Sequence, residues 1–217
     1  MKKIALLISG CGHKDGAEIT EVVSLLVGLN KWNAMVTTFS LDIEIEVTNH
    51  LTKRIQTGEK RNMLAEAARI TRGEIQDLNS LVVQDFDGLA IAGGIGAAIH
   101  FSNWAEKGSD CKVHPEVQRV IEEFYQAEKP IAAVCIAPVL LAKVLGSRGI
   151  AITLGNDPKV FAEVKKTGAR VVECPVSDYI TDRDHRLLTT PAFMHDATFA
   201  QVFEGISLMT KELVEMA

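Results

Sequence analysis

The chain has 217 residues, of which 47% are hydrophobic and 24% are charged, and its formal net charge is −5 at pH 7. This length is usual for one domain with a sizeable core, so we expect residues 1–217 to form a single domain. A mildly acidic chain without a large Lys/Arg cluster is a poor match for nucleic acid or an anionic membrane, and we predict neither as a partner.

The chain begins with an apolar run, Ile4–Ile8, that predicts a buried strand over 3–9. This run is shorter than the roughly 7–15 residues of an export signal, so we do not expect one. A glycine-rich bend at 10–16 and a helix ending near Trp32 follow. The predicted apolar stripe of this helix consists of Ile19, Val22, Val23, Leu26 and Leu29. A strand over 33–40 completes a strand–helix–strand unit, which is typical of a doubly wound α/β sheet.

The segment 41–61 interrupts this alternation of strands and helices. Residues 42–47 alternate with period two, which predicts an edge strand or one arm of a hairpin. Such an insertion usually decorates a rim or covers a site. Later strands are predicted at 88–92, 131–134, 150–154, 170–174, 179–181 and 187–190, and later helices at 62–70, 114–127, from 138 onward, 158–166 and 196–215. Residues 79–84 are ambiguous between helix and strand, and 101–112 has the pattern of a loop.

One cysteine stands at the bend between a predicted strand and a predicted helix. Cys135 directly follows the apolar run Ile131–Val134, and Pro138 fits the first turn of the helix after it. A thiol at a helix N-terminus is favoured as thiolate, so we expect a lowered pKa and a nucleophile elbow. The alternative is a small buried cysteine that fills core space, and on this stretch alone the two interpretations are equally weighted.

The carboxyl ends of parallel strands meet at one edge of a sheet, which brings other candidates towards Cys135. Glu18 opens the first helix and is the carboxylate best placed to face the thiol, although a purely favourable first-turn acid is also a sound interpretation. Gly94 and Ile136 could each offer a backbone N–H to one anionic oxygen, or the glycines could serve only tight packing.

Further residues at the same sheet edge are candidates for lining the site. Asn156 and Asp157 could orient a third partner, although a turn before Pro158 explains them as well. Cys11 and Gly12 lie in the first glycine bend, where Cys11 could act as a resolving thiol. No His, Cys, Asp or Glu spacing resembles a metal site, so we predict neither a metal nor a cofactor. Four scattered cysteines without an export signal indicate a reducing compartment, and we predict a cytoplasmic protein.

Several motifs together resemble the PfpI and class I glutamine-amidotransferase-like superfamily. They are Glu18 on the first helix, Ala92-Gly93-Gly94 after a central strand, and Val134-Cys135-Ile136-Ala137-Pro138 at the elbow. Other stretches are similar to its ElbB branch, the enhancing-lycopene-biosynthesis or isoprenoid-biosynthesis proteins. These stretches are Ser9-Gly10-Cys11-Gly12, 15–19, 48–52, 67–75 and Thr189-Thr190-Pro191-Ala192, so the resemblance covers essentially the whole chain.

The resemblance implies a flavodoxin-like three-layer sandwich with a mostly parallel central sheet, and it implies a homodimer. It also implies a nucleophilic Cys135, with Glu18 as its acidic partner and Gly94 and Ile136 as backbone donors. The chain departs from the wider superfamily because Ile136, not histidine, follows the cysteine, and because a downstream His-x-Glu pair is missing. These departures argue against protease and ammonia-generating activities.

The resulting hypothesis is a glyoxalase-type lyase that needs neither glutathione nor metal. Cys135 would add to a carbonyl of glyoxal and form a hemithioacetal, and Glu18 would move a proton between the two carbons. The alternative is a redox-sensing or interaction protein of isoprenoid metabolism, in which Cys135 is an oxidisable thiol.

Overall fold

The computed structural model describes residues 1–217 and has an α/β architecture around a mostly parallel sheet. The strands are β1 (Lys3–Leu7), β2 (Met35–Ser40), β3 (Glu44–Asn49), β4 (Arg54–Asn62), β5 (Gln76–Asp77), β6 (Gly88–Ile91), β7 (Ile131–Val134), β8 (Ala151–Ile152), β9 (Arg170–Val171), β10 (Ile180–Asp182) and β11 (Leu187–Thr190). The α-helices are α1 (Ile19–Lys31), α2 (Met63–Ala68), α3 (Ile95–Ile99), α4 (Trp104–Lys107), α5 (Pro115–Gln126), α6 (Pro138–Leu145), α7 (Pro158–Lys166) and α8 (Phe199–Met216).

Seven strands form the main sheet in the order β10-β11-β7-β6-β1-β2-β5. All neighbours in this sheet pair in parallel except β10, which runs antiparallel to β11. The predicted α/β class with a mostly parallel central sheet is therefore confirmed. Because β7, β6 and β1 are adjacent, the loops that follow these three strands lie side by side at the carboxyl edge.

Strand β1 shows why helices cover both faces of the sheet. Its side chains are buried on both sides, with Ala5 and Leu7 in one core cluster and Ile4 and Leu6 in the other. Side chains of successive strand residues point to opposite faces, so a continuous apolar strand requires a cover on each face. Helices α5 and α6 supply one cover, while α1 and α8 pack against each other in the second. The result is three layers.

The predicted stripe of α1 is rotated around the helix axis relative to the true buried face. Ile19 and Val23 are 46% and 44% exposed, whereas Val22 and Leu25 are fully buried. The buried face also includes Glu21, which is not part of the predicted stripe; charged residues are rarely fully buried. This rotation has a direct consequence for the site.

Outside the main sheet, one predicted hairpin arm is present and two predicted strands are shorter than expected. Strands β3 and β4 form a separate antiparallel hairpin, which confirms the hairpin-arm interpretation of 42–47. The strands predicted at 150–154 and 170–174 shrink to β8 and β9, which pair only with each other. Residues 101–112 contain the short helix α4, and 79–84 consists mainly of 3₁₀ turns rather than a strand. No helix has both the length and the apolar character needed to cross a membrane.

Candidate functional site

Cys135 sits at the bend between β7 and α6 in a left-handed backbone conformation. Its φ is 62°, a region that non-glycine residues rarely adopt. The backbone N–H of Cys135 donates to the carbonyl oxygen of Thr190 at 2.9 Å, so the neighbouring strand β11 holds this conformation in place. Pro138 is at the start of α6, as the sequence predicts. The strand-to-helix elbow is confirmed, and the residue at its tip is the thiol.

The carboxyl group that contacts the Cys135 sulfur belongs to Glu21, not to Glu18. The sequence-based placement of Glu18 against the sulfur is wrong because Glu18 is the N-cap of α1. Its carboxylate accepts the backbone N–H of Glu21 at 2.8 Å. One helical turn later, Glu21 points inward on the buried face of α1 towards the elbow.

Glycine at position 93 makes this contact possible. A Cβ atom at Gly93 would come within 2.5 Å of the Cys135 Cβ and would collide with the Glu21 carboxyl. The carboxyl and the thiol therefore meet across a position that only glycine can fill. Burial, followed by the charge of Glu18, raises the pKa of Glu21 to about 8. The Cys135 thiol and the backbone N–H groups of Phe193 and Gly93 lower the pKa of Glu21 but do not outweigh burial, so the neutral acid is favoured at pH 7.

The sulfur of Cys135 has a different environment from the Glu21 carboxyl. Burial raises the pKa of the Cys135 thiol first, and the charge and hydrogen bond of Glu21 raise it further. The backbone N–H groups of Gly94 and Ile136 face the sulfur and lower its pKa, but they do not outweigh burial. The expected lowering of the Cys135 pKa is therefore wrong. The two predicted backbone donors do lie at the thiol.

A cavity of about 640 Å³ opens onto Cys135. Its walls include Glu18 and His13, and the complete lining is His13, Glu18, Gly94, Ile95, Cys135, Ile136, Phe193, Met194 and Phe199. Glu18 thus shares the cavity with Cys135, although its carboxylate serves as a helix cap. Burial, followed by the charges of Lys14 and His50, lowers the pKa of His13, so His13 is neutral at pH 7.

Four predicted site-lining residues lie outside this cavity. Cys11 lines a separate cavity of about 320 Å³ beneath the β3–β4 hairpin, and Gly12 packs closely against His50 of that hairpin. Asp157 caps α7 by accepting the N–H of Lys159 at 2.8 Å, and Asn156 is exposed beside it. The turn interpretation of these two residues is the one the structure supports.

Glu21 and the apolar wall formed by Phe193, Met194 and Phe199 are site features that the sequence did not predict. The signal for Glu21 was present, because Glu21, Leu25 and Gly28 follow helical spacing on one face. An acid on an apolar stripe is a candidate for a functional group. Phe193 and Met194 follow β11 in a segment without periodicity, so no sequence pattern could assign them to the cavity. No group of three or more His, Cys, Asp or Glu side chains is arranged to hold a metal ion.

The model of the DJ-1/PfpI family matches residues 2–202 of the chain. The protein belongs to the DJ-1/PfpI family. This confirms the superfamily that the motifs indicate, and the sheet and helix layers agree with the flavodoxin-like fold of that family.

Two relatives and two solved structures show how the similarity is distributed. The human protein "Glutamine amidotransferase-like class 1 domain-containing protein 3, mitochondrial" is 39% identical over 99% of this chain and 83% of its own length. The zebrafish "ES1 protein, mitochondrial" is 29% identical over 98% of this chain and 85% of its own length.

Among solved structures, an isoprenoid biosynthesis protein with an amidotransferase-like domain from Ehrlichia chaffeensis has a TM-score of 0.92 at 33% identity. The match covers 99% of this chain and all of that one. Drosophila melanogaster DJ-1beta has a TM-score of 0.59 at 20% identity, with 100% of this chain and 91% of that one covered, and this similarity speaks to the fold alone.

Proposed function

We propose that this DJ-1/PfpI protein is a cofactor-independent glyoxalase that converts glyoxal and related dicarbonyls to hydroxy acids. The observation that carries the proposal is the buried Cys135–Glu21 pair beneath the N–H groups of Gly94 and Ile136. A nucleophile, a proton carrier and two donors for an oxyanion are the groups that this reaction needs. Glu21 takes the role that the sequence analysis gave to Glu18.

The protonation state of the pair sets up the first step. The pair loses its first proton from Glu21, because its pKa of about 8 is lower than the pKa of the buried Cys135 thiol. In the reactive form the proton of the thiol has moved to Glu21, and the N–H groups of Gly94 and Ile136 face the resulting thiolate. The reactive form is therefore a thiolate beside a neutral carboxylic acid, and the two groups titrate as a coupled pair.

In the first step, the Cys135 thiolate forms a bond to an aldehyde carbon of glyoxal. The π electrons of that carbonyl move onto its oxygen, where the N–H groups of Gly94 and Ile136 stabilise the negative charge. Glu21 then donates its proton to this oxygen. The products of this step are a neutral hemithioacetal and a Glu21 carboxylate.

In the second step, the Glu21 carboxylate removes the proton from the hemithioacetal carbon, and the electron pair moves into the adjacent carbonyl to give an enediolate. Glu21 returns this proton to the second carbon, and the hydroxyl proton of the first carbon passes to the alkoxide oxygen on the second. The first carbon is thereby oxidised to a thioester and the second is reduced to an alcohol, so no external oxidant or reductant takes part. Water then attacks the thioester and Cys135 leaves as the thiolate. One proton of this water returns Glu21 to the neutral acid, the other is released to solvent when the Cys135 thiolate is restored, and the product leaves as glycolate.

The redox-sensor alternative has less support. Oxidation of a cysteine follows thiolate character and exposure, whereas Cys135 is only 7% exposed and burial raises its pKa. A link to isoprenoid biosynthesis is part of the proposal and is supported by the similarity to the isoprenoid biosynthesis protein of Ehrlichia chaffeensis. The homodimer stays a prediction. The cytoplasmic localisation also stays a prediction, and the mitochondrial names of the human and zebrafish relatives do not favour it.

The proposal is tested by incubating freshly reduced protein with glyoxal and measuring glycolate. We expect turnover in the wild type and none above background in Cys135→Ala. For Glu21→Gln we expect hemithioacetal formation to persist, because the amide can still donate a hydrogen bond. Its conversion to glycolate should fall by about 10²–10⁴-fold, the usual contribution of general acid–base catalysis.

Two results would contradict the proposal. Wild-type protein with an intact Cys135 thiol that makes no more glycolate than Cys135→Ala would remove the activity. Near-normal turnover by Glu21→Gln would leave the activity but remove Glu21 as the proton carrier. Glu18→Gln is the matched control, because it makes the same chemical change three residues away, at a carboxylate that caps the helix.

A further inference from the structure

The cavity at Cys135 is much larger than glyoxal requires. Its volume is about 640 Å³. Glyoxal has only two carbons and two oxygens. Clefts of roughly 300–1,000 Å³ are instead typical of sites that enclose drug-sized ligands. The reactive groups of this cavity therefore leave most of its volume for another part of a substrate.

The walls beyond the reactive groups are apolar and partly aromatic. Phe193 and Phe199 meet edge to face, with ring centroids 5.6 Å apart, and Met194 lies beside them in the lining. Phe199 is 68% exposed although it belongs to the first turn of α8. An exposed phenylalanine at a cavity rim gains by contact with an apolar ligand, because that contact removes its ring from water.

Charge in the cavity selects against an anionic substrate. The lining contains no lysine or arginine, its one carboxylate belongs to Glu18, and its one histidine is the neutral His13. Lys14 acts on His13 through its charge but is not part of the lining, and three other lysines, Lys107, Lys159 and Lys166, line a neighbouring cavity that shares Ile95 and Ile136 with this one. A phosphate or carboxylate group on the substrate would therefore meet no cation inside the cavity, and it would be repelled by Glu18.

We propose that the preferred substrate is an uncharged 2-oxoaldehyde that carries an aromatic or branched aliphatic group, which packs against Phe193, Met194 and Phe199. This inference rests on the proposed glyoxalase function and names its substrate class. The aldehyde carbon reacts with Cys135, and the adjacent ketone carbon carries the apolar group. The aldehyde carbon is oxidised to the acid and the ketone carbon is reduced to a secondary alcohol, so the product is a 2-hydroxy acid.

The geometry adds a stereochemical consequence. Glu21 approaches the adduct from one side only, because it reaches Cys135 from α1 across Gly93. A substrate whose apolar group is fixed in the cavity presents one face of its enediol to this acid. The proton is therefore delivered to that face, and phenylglyoxal gives one enantiomer of mandelate in excess.

The test compares kcat/KM for phenylglyoxal and glyoxal in the wild type, in Phe199→Ala and in Phe203→Ala. Phe203 lies one turn further along α8, is 38% exposed and does not line the cavity. We expect phenylglyoxal to be favoured at least tenfold by the wild type and by Phe203→Ala. Phe199→Ala should bring the ratio of the two kcat/KM values close to one. Equal or better use of glyoxal by the wild type, or racemic mandelate, would overturn the inference while leaving the glyoxalase function intact.

A second measurement tests the apolar site without turnover. Benzaldehyde and acetaldehyde both add reversibly to thiols, and benzaldehyde is the less electrophilic of the two. We expect benzaldehyde to protect Cys135 from iodoacetamide at concentrations at least tenfold lower than acetaldehyde, and Phe199→Ala to remove this advantage. If no dicarbonyl is turned over, the proposed function fails, but this preference would still establish the apolar site. Protection by acetaldehyde that equals or exceeds that by benzaldehyde would refute the site itself.

Discussion

The buried Glu21 carboxyl should make the folded protein less stable as the pH rises from about 4.5 to about 8. In the unfolded chain Glu21 ionises near its ordinary value of 4.5, whereas burial and Glu18 raise its pKa to about 8 in the folded protein. Between these values the folded state binds more protons than the unfolded state. The free energy of unfolding therefore decreases with rising pH across this window and levels off above about pH 8.

The size of the effect follows from the two pKa values. Each pKa unit corresponds to about 1.4 kcal/mol, so a rise from 4.5 to about 8 costs up to about 5 kcal/mol in unfolding free energy at alkaline pH. Glutamine has the same shape as glutamic acid and does not ionise. Glu21→Gln should therefore match the wild type at pH 4.5 and exceed its stability at pH 8 by several kcal/mol. A domain of ordinary stability has only about 5–15 kcal/mol in total, so this difference is easily measured.

The assay is urea unfolding at a series of pH values from 4.5 to 9, with a reducing agent that keeps Cys135 as a thiol. Glu18→Gln serves as the control. It removes only the second cause of the raised Glu21 pKa, so its slope with pH should shrink but persist. A flat wild-type profile between pH 5 and 8 would refute the reasoning. A Glu21→Gln variant whose stability falls as steeply as that of the wild type would refute it equally.

Three further predictions concern the same groups. The kcat/KM for glyoxal should rise about tenfold per pH unit below pH 8 and then level off, because the raised Glu21 pKa keeps Cys135 and Glu21 fully protonated at lower pH. A kcat/KM profile that is flat from pH 6 to 8 would contradict this. Cys135→Gly should be more stable than Cys135→Ala by about 1–2 kcal/mol in urea unfolding, since only glycine adopts a φ of 62° freely. Equal stabilities of the two variants would show that the backbone at residue 135 is unstrained. Gly94→Ala should lower both stability and adduct formation, because its Cβ would collide with the backbone of Gly16 and Glu18. Thermal unfolding measures the loss of stability, and mass spectrometry measures the yield of the adduct. A stable variant with normal adduct yield would argue against Gly94 as an oxyanion donor.

The sheet and the elbow could be predicted from the sequence because their signals are local. The run Ile131–Val134 is apolar throughout, and a cysteine followed closely by Pro138 leaves room for little besides a strand, a bend and a helix start. The order of the motifs then indicated the family. These signals do not depend on knowing which side of a helix faces the sheet.

The helical spacing of Glu21, Leu25 and Gly28 offered one possible buried face of α1, but the choice between this face and the one that carries Ile19 and Val23 depends on the rotation of the helix. Ile19 and Val23 are large apolar residues on the solvent side of α1. Because they were counted as apolar, the predicted stripe lies about a third of a turn around the helix from Glu21. Packing against the sheet and against α8 decides this rotation, and neither is visible in a local pattern. The short strands β8 and β9 are a similar case, since strand length is set by the available pairing partner.

The left-handed backbone of Cys135 also limits which nucleophiles evolution could substitute there. Serine has an unbranched Cβ and fits the same φ at a modest cost, so a hydroxyl could replace the thiol by one conservative exchange. Threonine carries a hydroxyl too, but a β-branched residue at a φ of 62° is a severe outlier. The elbow therefore admits sulfur or a primary alcohol and rejects a secondary one. In this fold, backbone geometry restricts the evolutionary choice of nucleophile before any chemistry is selected.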